Sequence, residues 1–544
     1  MDIQKIEKNI PELELTRRTT PDALRHAAQH WPTHEALIIG GTRLSYAQLY
    51  ERVLLHASNL YRLGLRPGEH LAICMGNSAE WVITAYAANC IGAVIIPVNT
   101  RFKADELRYQ LEQSDTDFLV VADRFLKIDF IEMLQGIEPA IATSLPGASL
   151  PKLRKLIVLG SHVPPAGVSY DELTRAGAER PPASTLPKPD DLALIQYTSG
   201  TTSFPKGVML RHVNLTLDAW HVGRRIGLRE KDKYFSGRPL FHVAGTTLSM
   251  LASLMTGACY LTAASFDPEE VLRIMEQENC TVTSANDTMF MMLMDHPNFS
   301  KTRLQVRAGI AATSEEVSRM LIDKMKLQEF SAGYGLSESS PTAVMGPYND
   351  SVDKRIAGFG FPLPGIDVRI FDSESFTEVP AGTLGEIGVK GWNLMAGYYK
   401  MPEATARTID ANGWLHTGDL GVADEDGRIR FVDRLKDMFR VGGENVAPAD
   451  VENVLNAHPS VLQAQVVGVP DKRLTQVAAA YVILKTGKTT TEEALIAWCK
   501  ERSAGFKVPR YVRFVDSFEP IGMTGSAKVQ RNKLLAYAVK DLGL

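Results

Sequence analysis

Short apolar runs of four to six residues recur along the first third of the chain, each next to a stretch with helical spacing. His70–Cys74 (HLAIC) precedes a helical stretch through Trp81–Cys90, and Gly92–Pro97 (GAVIIP) follows it. Phe118–Ala122 and Lys155–Leu159 continue the pattern. Continuous rather than alternating apolar strands are buried on both faces, and their alternation with helices predicts layered α/β sheets. A Pro-rich connector spans 181–189, and a further strand, Leu192–Gln196, leads into a polar loop. Beyond about 351 the period changes. Asp367–Phe371, Gly385–Lys390 and Arg428–Val432 are closely spaced strands between Gly, Pro and Asp turns, which predicts a small β-barrel-like unit or an antiparallel sheet. After Arg434 come a helix over 448–456, strands over 463–468 and 478–484, a helix over 491–502 and a strand over 511–515. The predicted organisation is a large body over 1–433 (about 1–190 and 191–350 α/β, 351–433 β) and a smaller α+β unit over 434–544.

One stretch tests that reading. Val243 to Phe266 carries no charge for 24 residues, long enough to span a bilayer. Four Thr, three Ser and Gly257 in its interior argue instead for a buried helix over about 246–256 and a buried strand over 258–263.

Composition changes the picture little. The chain has 544 residues, 45% hydrophobic and 22% charged, so it is neither disordered nor fibrous, and its length predicts more than one domain. The net charge of −4 offers no electrostatic reason for a nucleic-acid or acidic-membrane partner. Five scattered cysteines without a C-x-x-C pair predict neither a disulfide framework nor a zinc site. The first 18 residues lack the apolar core of a signal peptide, so a cytoplasmic location is expected.

The chemistry concentrates in Gln196-Tyr-Thr-Ser-Gly-Thr-Thr-Ser-Phe-Pro-Lys-Gly207. Backbone N–H groups of Thr198, Ser199, Gly200, Thr201 and Thr202 can approach phosphate oxygens closely, their hydroxyls add donors, and Lys206 supplies a mobile positive charge. The order Pro-Lys-Gly is not that of a Walker A box.

This segment resembles the signature of the adenylate-forming superfamily, which includes acyl-CoA synthetases, adenylation domains and beetle luciferases. Pro239–Gly245, Gly333–Glu338, Gly413–Asp419, Asp433–Asp437, Gly442–Asn445 and Gly525–Arg531 follow in the family's order. The resemblance spans about residues 20–540 and implies ATP, Mg²⁺ and coenzyme A as cofactors. Thr198–Thr202 and Lys206 would cradle phosphates. Gly333, Tyr334 and Gly335 would border the adenine, Ser337 would donate to a phosphate, and Glu338 would hold Mg²⁺. Asp419 and Arg434 would contact the ribose, and Lys436 would be the hinge. Lys528, in a turn with Ala527 where relatives carry Gly, would stabilise charge as pyrophosphate leaves. Gly442 and Gly443 would border the thiol path after the small domain rotates.

The acid is less legible. His242 lies in a motif that lines the acyl pocket of relatives, where a substrate contact and a structural histidine are both open. Ala244, Gly309, Ala332 and the neighbouring Ala311 and Ala312 are small and leave volume for a medium or long acyl chain or an aryl or alicyclic acid. Asn286-Asp287 stands where relatives often have an apolar-Pro pair; Asp287 is read as a capping or loop residue, with a cation-facing role as the other option. Thr475-Gln476 replaces a common Gly-Glu. The resemblance therefore implies an ATP-dependent acid:CoA ligase whose partners are an acid, ATP and CoA. The alternatives are a carnitine- or betaine-type ligase and a stand-alone adenylation enzyme loading a discrete carrier protein, no fused carrier being expected after Lys528. A luciferase-like oxygenase and a catalytically dead nucleotide-binding protein complete the set, the latter opposed by the joint presence of Lys206, Glu338, Asp419 and Lys528. Homo-oligomerisation stays open.

Overall fold

In the computed structural model, residues 19–177, 179–198, 205–311, 315–358, 360–442, 444–524 and 528–544 are described. Ser199, Gly200, Thr201, Thr202, Ala312, Gly443 and Ala527, named above, lie outside these residues.

The apolar runs form the middles of two large sheets. One has eight strands, with Leu192–Thr198, Val94–Pro97, His70–Cys74, Phe118–Ala122 and Lys155–Leu159 adjacent and parallel. Every residue of His70–Cys74 and Phe118–Ala122 is buried, as strands covered on both faces require. The other sheet has seven strands: Glu329–Ser331, Ala308–Ala311, Val282–Ala285, Lys233–Ser236, Cys259–Thr262, Glu35–Ile39 and Thr42–Ser45. All its pairings are parallel except the terminal hairpin 35–45.

The sheets do not follow the expected division at residue 190. Hairpin 35–45 joins the second sheet, while Leu192–Thr198, Lys206–Arg211 and Gly397–Tyr398 join the first. Edge strands are recruited by hydrogen-bonding partners in space, which chain order does not reveal.

The uncharged stretch 243–266 is helical over Val243–Thr256, with a π-turn segment at Thr246–Leu251, and becomes a buried strand at Cys259–Thr262. Gly257, at φ +77°, ends the helix. Among the described residues no helix is long and apolar enough to cross a membrane. All five cysteines are buried and unpaired.

The closely spaced strands after 351 form a four-stranded antiparallel sheet, the open one of the two expected forms: Ile366–Phe371, Gly385–Gly391, Leu415–Ala423 and Ile429–Arg434. No ladder joins its outer strands among the described residues. The C-terminal unit has its own core, with the long hairpin Val461–Asp471/Thr475–Leu484 covered by helices Pro448–Asn456, Glu492–Arg502 and Arg531–Leu542.

Candidate active site

The polar loop is the tip of a hairpin. Thr198 pairs directly with Lys206 in the antiparallel ladder, so these two residues stand side by side. The Lys206 ammonium lies 4.2 Å from the centre of the Tyr398 ring. The Tyr398 hydroxyl donates to Oε1 of Glu338 at 2.8 Å. Tyr398 thus joins the phosphate-loop lysine to the proposed metal carboxylate. The sequence gives little sign of it, because Gly397–Tyr398 becomes an edge strand beside Lys206–Arg211 only on folding.

Gly333–Tyr334 pairs with Val344–Met345 and turns into a single 3₁₀ turn at Ser337–Ser339, which presents Ser337 and Glu338. A Cβ on Gly335 would overlap the carbonyl oxygen of Pro341, so only glycine permits this turn. The Tyr334 ring stacks on Phe431, centroids 5.5 Å apart, and its hydroxyl donates to Oδ2 of Asp419 at 2.9 Å. Asp419 and Arg434 face each other across adjacent strands, with Oδ1 3.8 Å from the Arg434 Nε. Burial pushes the Asp419 carboxyl above its ordinary value, while the Tyr334 hydroxyl, Arg434 and Lys436 pull it back. Tyr334, Asp419 and Arg434 are therefore one contiguous polar group, joined by a hydrogen bond and an ion pair.

Lys528 reaches this group from the C-terminal unit. Its turn is closed by Thr524, whose N–H donates to the Lys528 carbonyl at 2.7 Å and whose hydroxyl accepts from the Lys528 N–H at 3.0 Å. The side chain keeps contact with solvent, yet protein surrounds the ammonium closely enough for desolvation to lower its pKa. Arg434 and Arg238 lower it further, whereas Asp419 and Asp287 raise it. The Lys528 ammonium is thus within electrostatic reach of Asp419 and Arg434 and also of Arg238 and His242. Lys436 sits in the 3₁₀ turn Leu435–Asp437, its pKa lowered first by desolvation and then by Arg434.

His242 resolves into two roles. Its Nδ1 accepts the Ala244 N–H at 3.1 Å, capping the helical segment that begins at Val243. Burial, with Lys528 and Arg238 nearby, pushes its pKa down to about 3, so the ring is neutral and Nε2 carries the proton. The side chain is structural at one nitrogen and a donor at the other. Ala244, Ala311 and Ala332 are buried. Gly309 has a different reason to be small than the expected pocket volume: a Cβ there would overlap the Thr283 carbonyl of the neighbouring strand.

Asp287 is not the cap of its helix. Asn286 is, its side-chain oxygen accepting the Met289 N–H at 2.9 Å, and Asp287 occupies the first helical position. Gly442 takes φ +61° and donates to the Leu474 carbonyl at 2.9 Å, within the C-terminal unit. Beside it, Thr475 adopts φ +70°, a backbone region suited to the glycine common in relatives, and Gln476 accepts the Arg440 N–H at 3.0 Å.

Sequence reasoning also missed Arg531. It donates to both oxygens of Glu452 (3.0 and 2.9 Å) and to Asp433 (2.8 Å), and lies 3.4 Å from Asp437. Asp433 in turn accepts the Ala449 N–H at 3.0 Å. One arginine thus ties the last helix to both sides of Lys436.

Comparison with known proteins agrees with this geometry. Residues 24–399 match the AMP-binding enzyme model and 450–528 its C-terminal domain model. The chain is 36% identical to the 3-(7a-methyl-1,5-dioxo-octahydro-1H-inden-4-yl)propanoyl:CoA ligase of Rhodococcus jostii, over 95% of this chain and 98% of that one. It is 32% identical to the mitochondrial medium-chain acyl-CoA ligase ACSF2 of Bos taurus, over 98% and 89%. The structure of o-succinylbenzoate CoA synthetase from Bacillus subtilis, in complex with its acyl-adenylate intermediate, superposes with a TM-score of 0.78 at 28% identity, covering 94% of this chain and 97% of that one. The chain belongs to the AMP-binding enzyme family, and within it to the acyl-CoA synthetases, which join an acid to CoA through an acyl-adenylate.

Proposed function

We propose that this acyl-CoA synthetase activates a medium-chain, aryl or alicyclic carboxylic acid, with Lys528, Asp419, Arg434 and the Lys206–Tyr398–Glu338 group as its machinery. The observation that carries the reading is the joining of Tyr334, Asp419 and Arg434 into one polar group, to which Lys528 is electrostatically coupled.

A carboxylate oxygen of the acid attacks the α-phosphorus of ATP, and the bond to the bridging oxygen breaks as pyrophosphate leaves. Charge accumulates on the phosphate oxygens in this step, and fixed cations placed there lower the barrier. Lys206 faces the phosphates from the hairpin and Lys528 from the mobile unit, bridging ribose and acyl oxygens. Asp419 accepts from the ribose hydroxyls with the oxygen that Tyr334 leaves free. His242, neutral, donates from Nε2 toward the acid.

Glu338 fits a Mg²⁺ role. One of its oxygens is engaged by Tyr398, the other has no hydrogen bond among the described residues, and Mg²⁺ is ordinarily held by one or two carboxylates together with substrate phosphates. When bound, the ion would neutralise phosphate charge. In the second step the CoA sulfur attacks the acyl carbon and AMP departs. We assign this step to a rotated position of residues 434–544 about Lys436, with Gly442 and Gly443 bordering the thiol path. A carnitine- or betaine-type acid is not favoured, because Asp287 already faces two cations of the protein, Arg238 and Lys528.

The test is acid-dependent exchange of labelled pyrophosphate into ATP across a panel of carboxylates, repeated as thioester formation with CoA. Exchange with medium-chain, aryl or alicyclic acids, followed by CoA-dependent release of AMP, is expected. Thioester formation with a carrier protein but not with CoA would overturn the reading.

A further inference from the structure

Arg238 has no role in the chemistry described so far. It lies just beyond the carboxyl end of strand Lys233–Ser236, in the loop that continues to His242, and it reaches across to the carboxyl end of strand Val282–Ala285. In parallel sheets, ligands bind in the crevice outside these strand ends. The loop is held rigidly. Buried Asn77 donates to the Arg238 carbonyl (3.2 Å) and accepts the Leu240 N–H (2.8 Å). Gln196, at the foot of the phosphate hairpin, donates to the Phe241 carbonyl (3.0 Å), and the Gly237 N–H donates to the Ser284 carbonyl (3.0 Å).

The guanidinium is pinned along one edge only. Nε donates to Ser284 Oγ at 2.8 Å and Nη2 to the Ala285 carbonyl at 2.9 Å. Nε and Nη2 form one side of the planar fork, so the end formed by Nη1 and the second Nη2 hydrogen points away from the strand. Among the described residues Nη1 has no hydrogen-bond partner. Desolvation lowers the Arg238 pKa, and Asp287 opposes that; the same guanidinium acts on both His242 and Lys528. An oriented fork with an unused end, in a partly desolvated position beside the acid-binding histidine, has the form of a recognition element.

We propose that Arg238 is a specificity determinant that donates from Nη1 to a second, neutral oxygen acceptor on the acid, such as a ketone or hydroxyl, in addition to the carboxylate being activated. Charge balance selects a neutral acceptor. Arg238, Lys528 and Arg434 carry three positive charges, Asp287 and Asp419 carry two negative, and the activated carboxylate supplies the third. A second carboxylate on the acid would leave this desolvated cluster with an excess negative charge.

The proposal rests on the ligase reading and is tested so that the two fail separately. Octanoate, the 4-, 5-, 6- and 7-oxo-octanoates and suberate are compared in pyrophosphate exchange with the wild-type protein and with Arg238→Met and Arg238→Lys. A hydrogen bond to a charged donor predicts that at least one oxo acid exceeds octanoate in kcat/KM by about tenfold or more. Arg238→Met should bring that ratio to within about threefold of unity, and Arg238→Lys should retain part of it. Exchange with octanoate and no preference for any oxo acid would overturn the proposal while leaving the ligase reading intact. So would a preference for suberate above all oxo acids, or a loss in Arg238→Met that is equal for every acid, which would mark the residue as support for the 282–285 strand. Exchange with no acid at all would overturn the ligase reading, and this inference with it.

Discussion

The Tyr334 hydroxyl donates to Oδ2 of Asp419 at 2.9 Å, joining a residue of the adenine-side turn to one from a strand 85 positions away in sequence. The bond occupies one carboxylate oxygen, and the proposed ribose contact would use the other. Asp419→Ala should raise the KM for ATP at least tenfold in the pyrophosphate exchange assay. Tyr334→Phe keeps the carboxylate and loses only its orientation, so its effect should be several-fold smaller. An unchanged ATP dependence in Asp419→Ala would remove the residue from the ribose role.

Lys528 separates the two half-reactions. Lys528→Ala should lower adenylation at least a hundredfold, the scale of losing one preorganised charge at a transition state. Thioester formation from supplied acyl-adenylate should stay within about threefold of wild type. Equal losses in both steps would contradict the assignment of two conformations.

The same lysine sets an alkaline limit. Its pKa is lowered from the ordinary value, and only the protonated form carries the charge that adenylation uses. The rate of the adenylation step should therefore fall as pH rises through that lowered value. Lys528→Arg should be slower at neutral pH but should lose the alkaline decline, because guanidinium stays charged. His242, held near pKa 3, adds no inflection between pH 5 and 9. A profile with an inflection near 6.5 that disappears in His242→Asn would refute the neutral-donor assignment.

Arg531 is a stability prediction. It is the cation facing the buried carboxylates of Asp433 and Glu452, and removing one member of a buried charge group leaves the others uncompensated. Arg531→Met should destabilise the C-terminal unit by about 3–5 kcal/mol in urea unfolding. Adding Glu452→Gln to that variant should recover part of the loss.

Thr475 predicts the opposite sign. A β-branched residue at φ +70° is strained by about 1–2 kcal/mol, partly offset by the extra unfolded-state freedom of glycine. Thr475→Gly should raise the urea midpoint of the C-terminal unit slightly, and a lowered midpoint would show that the Thr475 side chain contributes more than its strain costs.

Local chemistry made much of the protein legible from its sequence. The buried strands 70–74 and 118–122 announce themselves as continuous apolar runs, and helix 448–456 has Pro at its first position, as helix starts favour. The nucleotide motifs are legible for a related reason: loops that must approach phosphate or adenine need glycines and hydroxyls at fixed local spacing. Only tertiary structure decided what meets what. Tyr398 reaches Glu338, Arg531 reaches Glu452, and Lys528 enters among Arg238, His242 and Asp419 because strands pair and domains dock over separations of 60 residues and more. Such contacts leave no periodic mark in the chain. An arginine in a loop reads as solvated until the fold shows which edge of its guanidinium is held and which is free, and for that reason Arg238 emerged only from the three-dimensional arrangement.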